Sequence, residues 1–191
     1  LLKVSLPISK KNNAKSIFNK DIYLNFAKYI LNCQDLDGGI RWEPSSKLDP
    51  WDHIESAMGL DVLGFESESK KAYKWLESHQ ETDGSWYSLY YSSETNLLKE
   101  TNFSSYIAVG MWHHYLNFKD KKFLREFWPV LDLAIKFTLS GQTEHGDIFW
   151  AKDQENWLDD SLKTGCSSIY MSLVSYKKIA KEIKAKDRVT D

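Results

Sequence analysis

The chain has 191 residues and a formal net charge of −2, with 42% hydrophobic and 27% charged residues. This length is enough for one globular domain with a sizeable core. The near-neutral balance and the lack of a long basic run argue against nucleic acid as a partner, and no apolar run is long enough to predict a membrane span.

Cysteine usage and the opening of the chain favour an intracellular protein without a metal. Cys33 and Cys166 lie far apart, so they predict neither a thiolate metal cluster nor a disulfide framework. The opening residues lack a hydrophobic stretch of signal-peptide length, which favours a cytoplasmic location. We predict no cofactor and no metal, an N-terminal extension over residues 1–18, and one domain over residues 19–191.

Hydrophobic periodicity predicts six helices and very little strand. Pro50 follows Asp49, which is the arrangement of a helix start, and Gly64 ends the same helix. Pro129 predicts either a kink in the fifth helix or a helix boundary near Trp128. The predicted helices cover residues 20–33, 50–63, 69–79, 101–117, 121–140 and 162–183.

One short pattern occurs three times. Gln34, Gln80 and Gln142 are each followed by a glycine four residues later and then by aromatic residues. Each copy follows an odd-numbered predicted helix, so the repeated unit is a helical hairpin that buries its apolar face by stacking on its neighbours. The even-numbered helices begin with small residues and fit an inner ring. We therefore predict an all-α fold of the α/α-toroid type, with three hairpins present.

Longer strings carry a family resemblance: "DPWDHIESAMGLDVLGF", "AYKWLESHQETDGSWY", "ETNFSSYIAVGMWHHYL" and "TGCSSIYMSL". They resemble bacterial α/α-toroid proteins labelled prenyltransferase, which are similar to terpenoid cyclases and to six-hairpin glycosidases. The resemblance covers roughly residues 20 to 180. It implies a toroid of about six hairpins, so this chain would be a partial barrel. It would then be either the N-terminal half of a longer protein or one of two chains that pair.

The sequence departs from the isoprenoid members of that group. The segment "WLDDS" lacks the Asp-x-Asp-Asp acid motif of terpenoid cyclases. The zinc ligands of protein prenyltransferases, an Asp, a Cys and a His, are not arranged on a predicted inner helix here. Fold alone does not fix an activity.

Candidate site residues come from one end of the predicted toroid, where the loops from outer to inner helices meet. This end combines carboxylates with aromatic rings, a combination that suits sugar recognition and acid–base chemistry on glycosidic bonds. The candidate catalytic residues are Asp52, His53, Glu55, Glu100 and Asp159. The candidate substrate-binding residues are Trp42, Asp49, Trp51, Trp86, Tyr87, Asn102, Trp150 and Trp157.

The roles within this set remain open at the level of sequence. Asp49 and Glu100 also fit as N-caps of the second and fourth helices, and a carboxylate beside His53 could orient its ring for catalysis. We expect Asp52 or Glu55 to face Glu100 across a cleft. We expect the cleft to be edged by three tryptophans at equivalent repeat positions: Trp42, Trp86 and Trp150.

Three functions compete. The first is an enzyme-like toroid that acts on a carbohydrate or glycoconjugate, with a glycan or other small molecule as its partner. The second, implied by the family label, is isoprenoid chemistry in an apolar cavity. The third is a non-catalytic binding module. An arc of three hairpins also leaves its end faces uncovered, which predicts self-association.

Overall fold

The structure, a computed structural model, describes residues 20–91 and 95–186. Within these ranges the regular elements are helices apart from four two-residue strands, which confirms the all-α class. The predicted extension over residues 1–18 lies outside the described part. The helices are α1 (Lys20–Asn32), α2 (Pro50–Val62), α3 (Glu66–Ser78), α4 (Thr101–Phe118), α5 (Lys121–Glu126), α6 (Trp128–Ser140) and α7 (Lys163–Ile183). The strands are β1 (Leu89–Tyr90), β2 (Thr95–Asn96), β3 (Lys99–Glu100) and β4 (Ala151–Lys152).

The predicted fifth helix is two helices. Phe127 ends α5 and also precedes α6, and Pro129 lies in the first turn of α6. Proline fits there because the first-turn N–H groups have no partner within a helix. The boundary near Trp128 is confirmed, so the described ranges hold seven helices instead of the six predicted. None of these helices is long and apolar enough to cross a membrane.

The helices form two layers in three units: unit one is α1 and α2, unit two is α3 and α4, and unit three is α5, α6 and α7. The inner layer is α2, α4 and α7, in which α4 packs between the other two. The outer helix α3 packs on α2, and the outer helix α6 packs on α4. A Cβ added at Gly110 of α4 would lie 2.6 Å from Ile54 Cγ2 and 3.0 Å from the Tyr73 hydroxyl. The small residue therefore allows this close packing.

The repeated turn of unit one is a socket for the outer helix of unit two. We use "socket" for the repeat Gln side chain together with the repeat Gly. Gln34 Nε2 donates to Gly38 O of its own turn at 3.1 Å and to Glu68 O of α3 at 3.0 Å. Gly38 has φ +105, and a Cβ on it would lie 2.3 Å from Lys71 O. Glycine is therefore required by both the backbone conformation and the neighbouring helix.

The turn of unit two repeats this arrangement with unit three. Gln80 Nε2 donates to Gly84 O at 3.0 Å and to Val130 O of α6 at 2.9 Å. A Cβ added at Gly84, where φ is +97, would lie 2.2 Å from Leu133 O. The repeat thus joins each turn to the outer helix of the following unit, which explains why the same residues recur.

Backbone hydrogen bonds join neighbouring loops on the side of the domain where the inner helices begin. Leu48 N donates to Tyr90 O at 2.9 Å, and Tyr90 N donates back to Leu48 O at 2.8 Å. Strands β3 and β4 pair antiparallel, with Glu100 opposite Ala151. The loop of unit one is therefore fixed to that of unit two, and the loop of unit two to that of unit three.

Candidate functional site

The starts of the three inner helices surround one cavity of about 740 Å³, which we call the inner cleft. Five of the predicted site residues line it: Trp42, Asp49, Trp51, Asp52 and Asn102. The structure thus brings together residues from units one and two, as predicted. The rest of the lining comes from the starts of α4 and α7: Phe103, Lys163, Thr164, Gly165, Ser167 and Ser168.

Asp49 is both a helix cap and part of the cleft wall. Its Oδ1 accepts the backbone N–H of Asp52 at 2.8 Å, which caps α2, and Pro50 begins the helix. Its Oδ2 accepts the indole N–H of Trp42 at 2.5 Å. Asp49 is only 3% exposed, and each of its carboxylate oxygens accepts a hydrogen bond from an N–H group.

Asp52 lies one helical turn further, beside Asp49 and facing the cleft. Partial removal of its carboxyl from solvent is the main reason that its pKa is raised, to about 6. The negative charge of Asp49, a hydrogen bond to Asp49 and the charge of Glu55 raise the pKa further, while Lys47 lowers it. Asp52 is consequently a carboxylic acid that keeps its proton in mildly acidic solution.

Glu55 is held at the cleft margin by aromatic residues. Its Oε1 accepts the Trp51 indole N–H at 3.0 Å and the Tyr106 hydroxyl at 3.3 Å. The rings of Trp51 and Tyr106 stack, with 3.8 Å between centroids and 9° between planes. Burial, followed by the charge of Glu55, raises the pKa of Tyr106 to about 12, so its hydroxyl stays protonated.

A second cavity of about 450 Å³ lies next to the inner cleft, and we call it the side cavity. Trp42 and Asp52 line both cavities, and Glu55 lines the side cavity only. Asp52 therefore stands where the two spaces meet. The remaining lining of the side cavity is Tyr29, Ile30, Cys33, Ile40, Arg41 and Ser56.

Glu100 precedes α4, but its side chain makes no capping hydrogen bond. Its Oε2 instead accepts the indole N–H of Trp150 at 2.9 Å. Burial raises the pKa of Glu100 and the charge of Asp49 adds to the rise, while the hydrogen bond from Trp150 opposes it. Glu100 is thus close enough to Asp49 for the two charges to interact, although it does not line the inner cleft.

His53 does not face the cleft. Its Nδ1 accepts the Ile40 N–H at 2.9 Å, and its Nε2 lies 2.9 Å from Ala72 O. This pairing makes Nε2 the protonated ring nitrogen of a neutral imidazole. Complete burial lowers the pKa of His53 to about 4. The predicted catalytic role is corrected to a structural one, because both ring nitrogens join the turn of unit one to α3.

Trp86 is also a core residue. It is 1% exposed, and its indole N–H donates to Leu76 O at 2.8 Å. Trp42 and Trp150 both stand eight residues after their repeat Gln, whereas Trp86 stands six after Gln80. The expectation that it shares their position is therefore wrong. Its true equivalents, at six residues after the Gln, are buried isoleucines, Ile40 and Ile148.

Four other predicted residues lie outside the inner cleft, and the expectation that Trp150 edges it is wrong, because its indole instead binds Glu100. Tyr87 donates its hydroxyl to Glu81 at 3.2 Å in the loop of unit two. Trp157 packs on Phe137 of α6, with 5.5 Å between ring centroids. Asp159 is exposed and lines a separate cavity beside the turn of unit three. None of the four lines either of the two cavities that Asp52 lines.

Sequence reasoning missed much of the far wall of the cleft. Phe103 and Lys163 line it, and so do small residues at the start of α7. The segment "TGCSSIYMS" was the available signal, because small residues at the start of an inner helix leave space in front of it. Among the described residues, no group of three or more His, Cys, Asp or Glu side chains is arranged to hold a metal ion.

A search against protein-family models finds no match for this chain. A curated relative from Mycolicibacterium hassiacum, "MMP endo-(1,4)-3-O-methyl-alpha-D-mannosidase", is 36% identical over 148 residues. The alignment covers 77% of this chain and 41% of the relative, so the chain spans less than half of that protein's length.

Solved structures share the fold. Cellobiose 2-epimerase from Bacillus thermoamylovorans matches with a TM-score of 0.61 and 13% identity, over 85% of this chain and 48% of that one. An unsaturated glucuronyl hydrolase specific for heparin gives 0.61 and 18%, over 86% and 53%. D-mannose isomerase gives 0.64 and 12%, over 88% and 50%.

The architecture is therefore that of the six-hairpin α/α toroids, present here as three hairpins of a partial barrel. The predicted fold is confirmed. The predicted resemblance to six-hairpin glycosidases is supported, because the curated relative is a mannosidase. The predicted prenyltransferase label finds no support among these proteins.

Proposed function

We propose that this chain forms the acid-bearing half of a glycoside hydrolase site, in which Asp52 donates a proton to the glycosidic oxygen. The observation that carries this proposal is the Asp49–Asp52 pair at the mouth of the inner cleft. Asp49 accepts two N–H donors, while burial, and after it the negative charge of Asp49, raises the pKa of Asp52. A carboxyl group whose raised pKa keeps it protonated is the usual general acid in such chemistry.

The surroundings of Asp52 support binding of a sugar chain on both of its sides. The inner cleft and the side cavity meet at Asp52 and Trp42, so a chain that occupied both would pass the acid. Trp42 is 48% exposed and offers a ring face to the C–H surface of a pyranose. The geometry thus favours attack within a chain.

Glu100 is our candidate for the second carboxylate. It comes from unit two, and its orientation is fixed by Trp150. The proposal is supported by the pKa of Glu100, which burial raises and which the negative charge of Asp49 raises further, so Glu100 is near the acid pair. A carboxylate pair drawn from different units would let the acid and the base or nucleophile approach the glycosidic bond from separate directions.

The substrate class follows from the relative. We propose an α-D-mannoside with 1,4 linkages and 3-O-methyl groups, because the name of the Mycolicibacterium protein describes that specificity. The apolar lining that Phe103 and Trp51 add to the inner cleft suits methylated sugars, since each methyl group covers a hydroxyl.

The test is hydrolysis of matched α-1,4-manno-oligosaccharides, with and without 3-O-methyl groups, followed by product sizing. We expect internal cleavage of the methylated chains and its loss in Asp52→Asn, with Glu77→Gln of α3 as the surface control. Absence of cleavage by the wild-type chain, with sugar binding retained, would favour the non-catalytic binding module. If the wild-type chain neither cleaves nor binds these sugars, the proposal is refuted.

A further inference from the structure

A tight turn in the loop of unit one brings a lysine back over the tryptophan of the cleft. The Trp42 N–H donates to Lys47 O at 2.9 Å, and Ser46 N donates to Glu43 O at 3.1 Å inside the same turn. Ser45 has φ +65, a left-handed conformation that is uncommon for residues other than glycine. The Lys47 ammonium lies 3.5 Å from the centroid of the Trp42 ring. The turn thus places a positive charge against one face of this ring.

This contact is closer than the other contacts between lysine and aromatic rings. Within residues 20–91 and 95–186, the remaining pairs have 5.3 to 5.9 Å between the ammonium and the ring centroid. The attraction of a cation to an indole face increases as the two approach and lose water. The pair formed by Lys47 and Trp42 is therefore a specific feature of the cleft and not an ordinary surface contact.

Three contacts together fix the Trp42 ring before any sugar arrives. Its backbone N–H is held by Lys47 O, its indole N–H by Asp49 Oδ2 at 2.5 Å, and one ring face by the Lys47 ammonium. The ammonium covers that face, so a pyranose stacks on the opposite one. A ring that is already immobile loses little freedom when the sugar binds, which favours affinity.

The same ammonium acts on the acid of the site. Burial, followed by the negative charges of Asp49 and Glu55, raises the pKa of Asp52 to about 6, whereas the positive charge of Lys47 opposes the rise. Lys47 therefore favours the carboxylate form of Asp52. Glu100 lies near Asp49, and the other titratable groups that line the two cavities are Tyr29, Cys33, Arg41 and Lys163.

We propose that Lys47 is a positioning residue of this site, whose ammonium fixes the Trp42 ring for the sugar and stabilises the carboxylate that Asp52 becomes after it donates its proton. This role rests on the proposed function of Asp52 as the general acid. The proton of Asp52 forms a bond to the glycosidic oxygen as the bond from that oxygen to the anomeric carbon breaks. The electron pair of the former O–H bond stays on Asp52, where the Lys47 charge stabilises it. Water supplies the new bond to the anomeric carbon and the proton that later returns to Asp52.

The experiment compares two substitutions of one residue. Lys47→Met keeps the length of the side chain and removes its charge, whereas Lys47→Arg keeps a cation that stacks on indole rings. The matched control is Lys178→Met, because Lys178 also lies over a tryptophan, Trp112, at 5.9 Å. Lys178 is about four helical turns along α7 from Lys163, so it is remote from the cleft.

The first readout is an NMR titration of the Asp52 carboxyl, assigned through Asp52→Asn. We expect Lys47→Met to raise the pH at which this carboxyl titrates by roughly half a unit, because the carboxylate loses a neighbouring positive charge. Lys47→Arg should titrate close to the wild type, and so should Lys178→Met. In hydrolysis of the methylated chains, the decline of turnover with rising pH should move upward by the same amount in Lys47→Met.

The second readout reports on the ring. Exchange of the Trp42 indole proton with solvent should be roughly 5-fold faster in Lys47→Met, because the ring loses the ammonium that holds one of its faces. The KM for methylated oligosaccharides should rise by about 3- to 10-fold for the same reason. Lys47→Arg should restore both quantities, which a loss of local structure would not explain.

The proposal is overturned if Lys47→Met leaves either the carboxyl titration or the indole exchange as in the wild type. Equal changes in Lys178→Met would also reject it, since they would reflect the overall charge of the chain. If the wild type cleaves no sugar while both NMR readouts respond as expected, the positioning role is supported and only the hydrolytic function is rejected. Cleavage by the wild type without either response rejects the role of Lys47 alone.

Discussion

The indole N–H of Trp42 donates to Asp49 at 2.5 Å, and the indole N–H of Trp150 donates to Glu100 at 2.9 Å. Both tryptophans stand eight residues after a repeat Gln, and both acids immediately precede an inner helix. The repeat therefore produces the same hydrogen bond twice, in which an indole N–H donates to the acid that immediately precedes an inner helix. Four predictions concern these tryptophans and acids and the neighbouring histidine.

The first prediction concerns Trp42. In Trp42→Phe, Asp49 loses the indole N–H that holds its Oδ2, so we expect the Asp49–Asp52 pair to lose its fixed geometry and turnover at the optimal pH to fall by roughly 10-fold. The charged groups around the pair are Lys47, Glu55 and Glu100, and the substitution keeps all three, although the Lys47 ammonium loses the indole ring over which it lies, 3.5 Å from the ring centroid. Trp51→Phe is the control, because it removes an indole donor from Glu55 instead; an equal loss of turnover there would contradict the role given to Trp42.

The second prediction separates activity from stability at Asp52. The pKa of Asp52 is raised from 3.8 to about 6 in the folded chain, so this group makes folding less favourable as the pH rises from about 4 to about 6. Asp52→Asn should therefore raise the melting temperature at pH 8 and change it little near pH 4. Turnover should fall by at least about 100-fold. A loss of stability at pH 8 would show that the carboxyl is structural.

The wild-type profile provides a check on the same assignment. If protonated Asp52 is the acid, turnover should decline as the pH rises through about 6. A rate that keeps rising well above that pH would exclude Asp52 as the proton donor.

The third prediction concerns Glu100. Because its side chain makes no capping bond to α4, Glu100→Gln removes a charge while its amide oxygen can still accept from Trp150. We expect turnover to fall by orders of magnitude, with the melting temperature within a few degrees of the wild type. Asp120→Ala offers the contrasting case, since Asp120 caps α5 through the Phe123 N–H at 3.0 Å and alanine has no acceptor for it. Stability should fall there and activity per folded molecule should not.

The fourth prediction concerns His53. In His53→Ala, the buried Ile40 N–H loses its partner and the Ala72 carbonyl loses the imidazole N–H, so we expect the free energy of unfolding to fall by about 2–4 kcal/mol. The pKa of His53 is lowered from 6.5 to about 4, so its contribution to stability is lost as the pH falls between these values. Denaturant titrations at pH 7 and pH 4.5 measure both effects. His145→Ala, an exposed histidine, should show neither.

The repeat made the fold predictable, and it also misled the search for the site. Three Gln-to-Gly turns at constant offset were sufficient to predict stacked hairpins with an inner and an outer layer. Aromatic residues follow these turns at six or at eight residues after the repeat Gln, and composition alone does not tell which of the two positions is buried. Trp86 was therefore assigned to the cleft, although its offset is that of Ile40 and Ile148.

Asp49 and Asp52 were predictable because they stand within the first turn of a helix that starts at the mouth. The burial of His53 was not, because its ring is held by Ile40 and Ala72, which lie 13 and 19 residues away in sequence. Long-range contacts of this kind are set by the packing of α3 on α2, and no local pattern encodes them. The same reason explains why Lys163 and Phe103 were missed.

The ties made by the repeat glutamines also connect the outside of the protein to its chemistry. The carbonyl of Glu68 on α3 holds Gln34, whose turn leads to Trp42, which in turn holds Asp49. We therefore expect a shift of this outer helix to move Trp42 and the acid that it holds. Surface substitutions on α3, far from the cleft, should then change the pH optimum, and random mutagenesis for altered pH optima should recover them there as well as at the mouth.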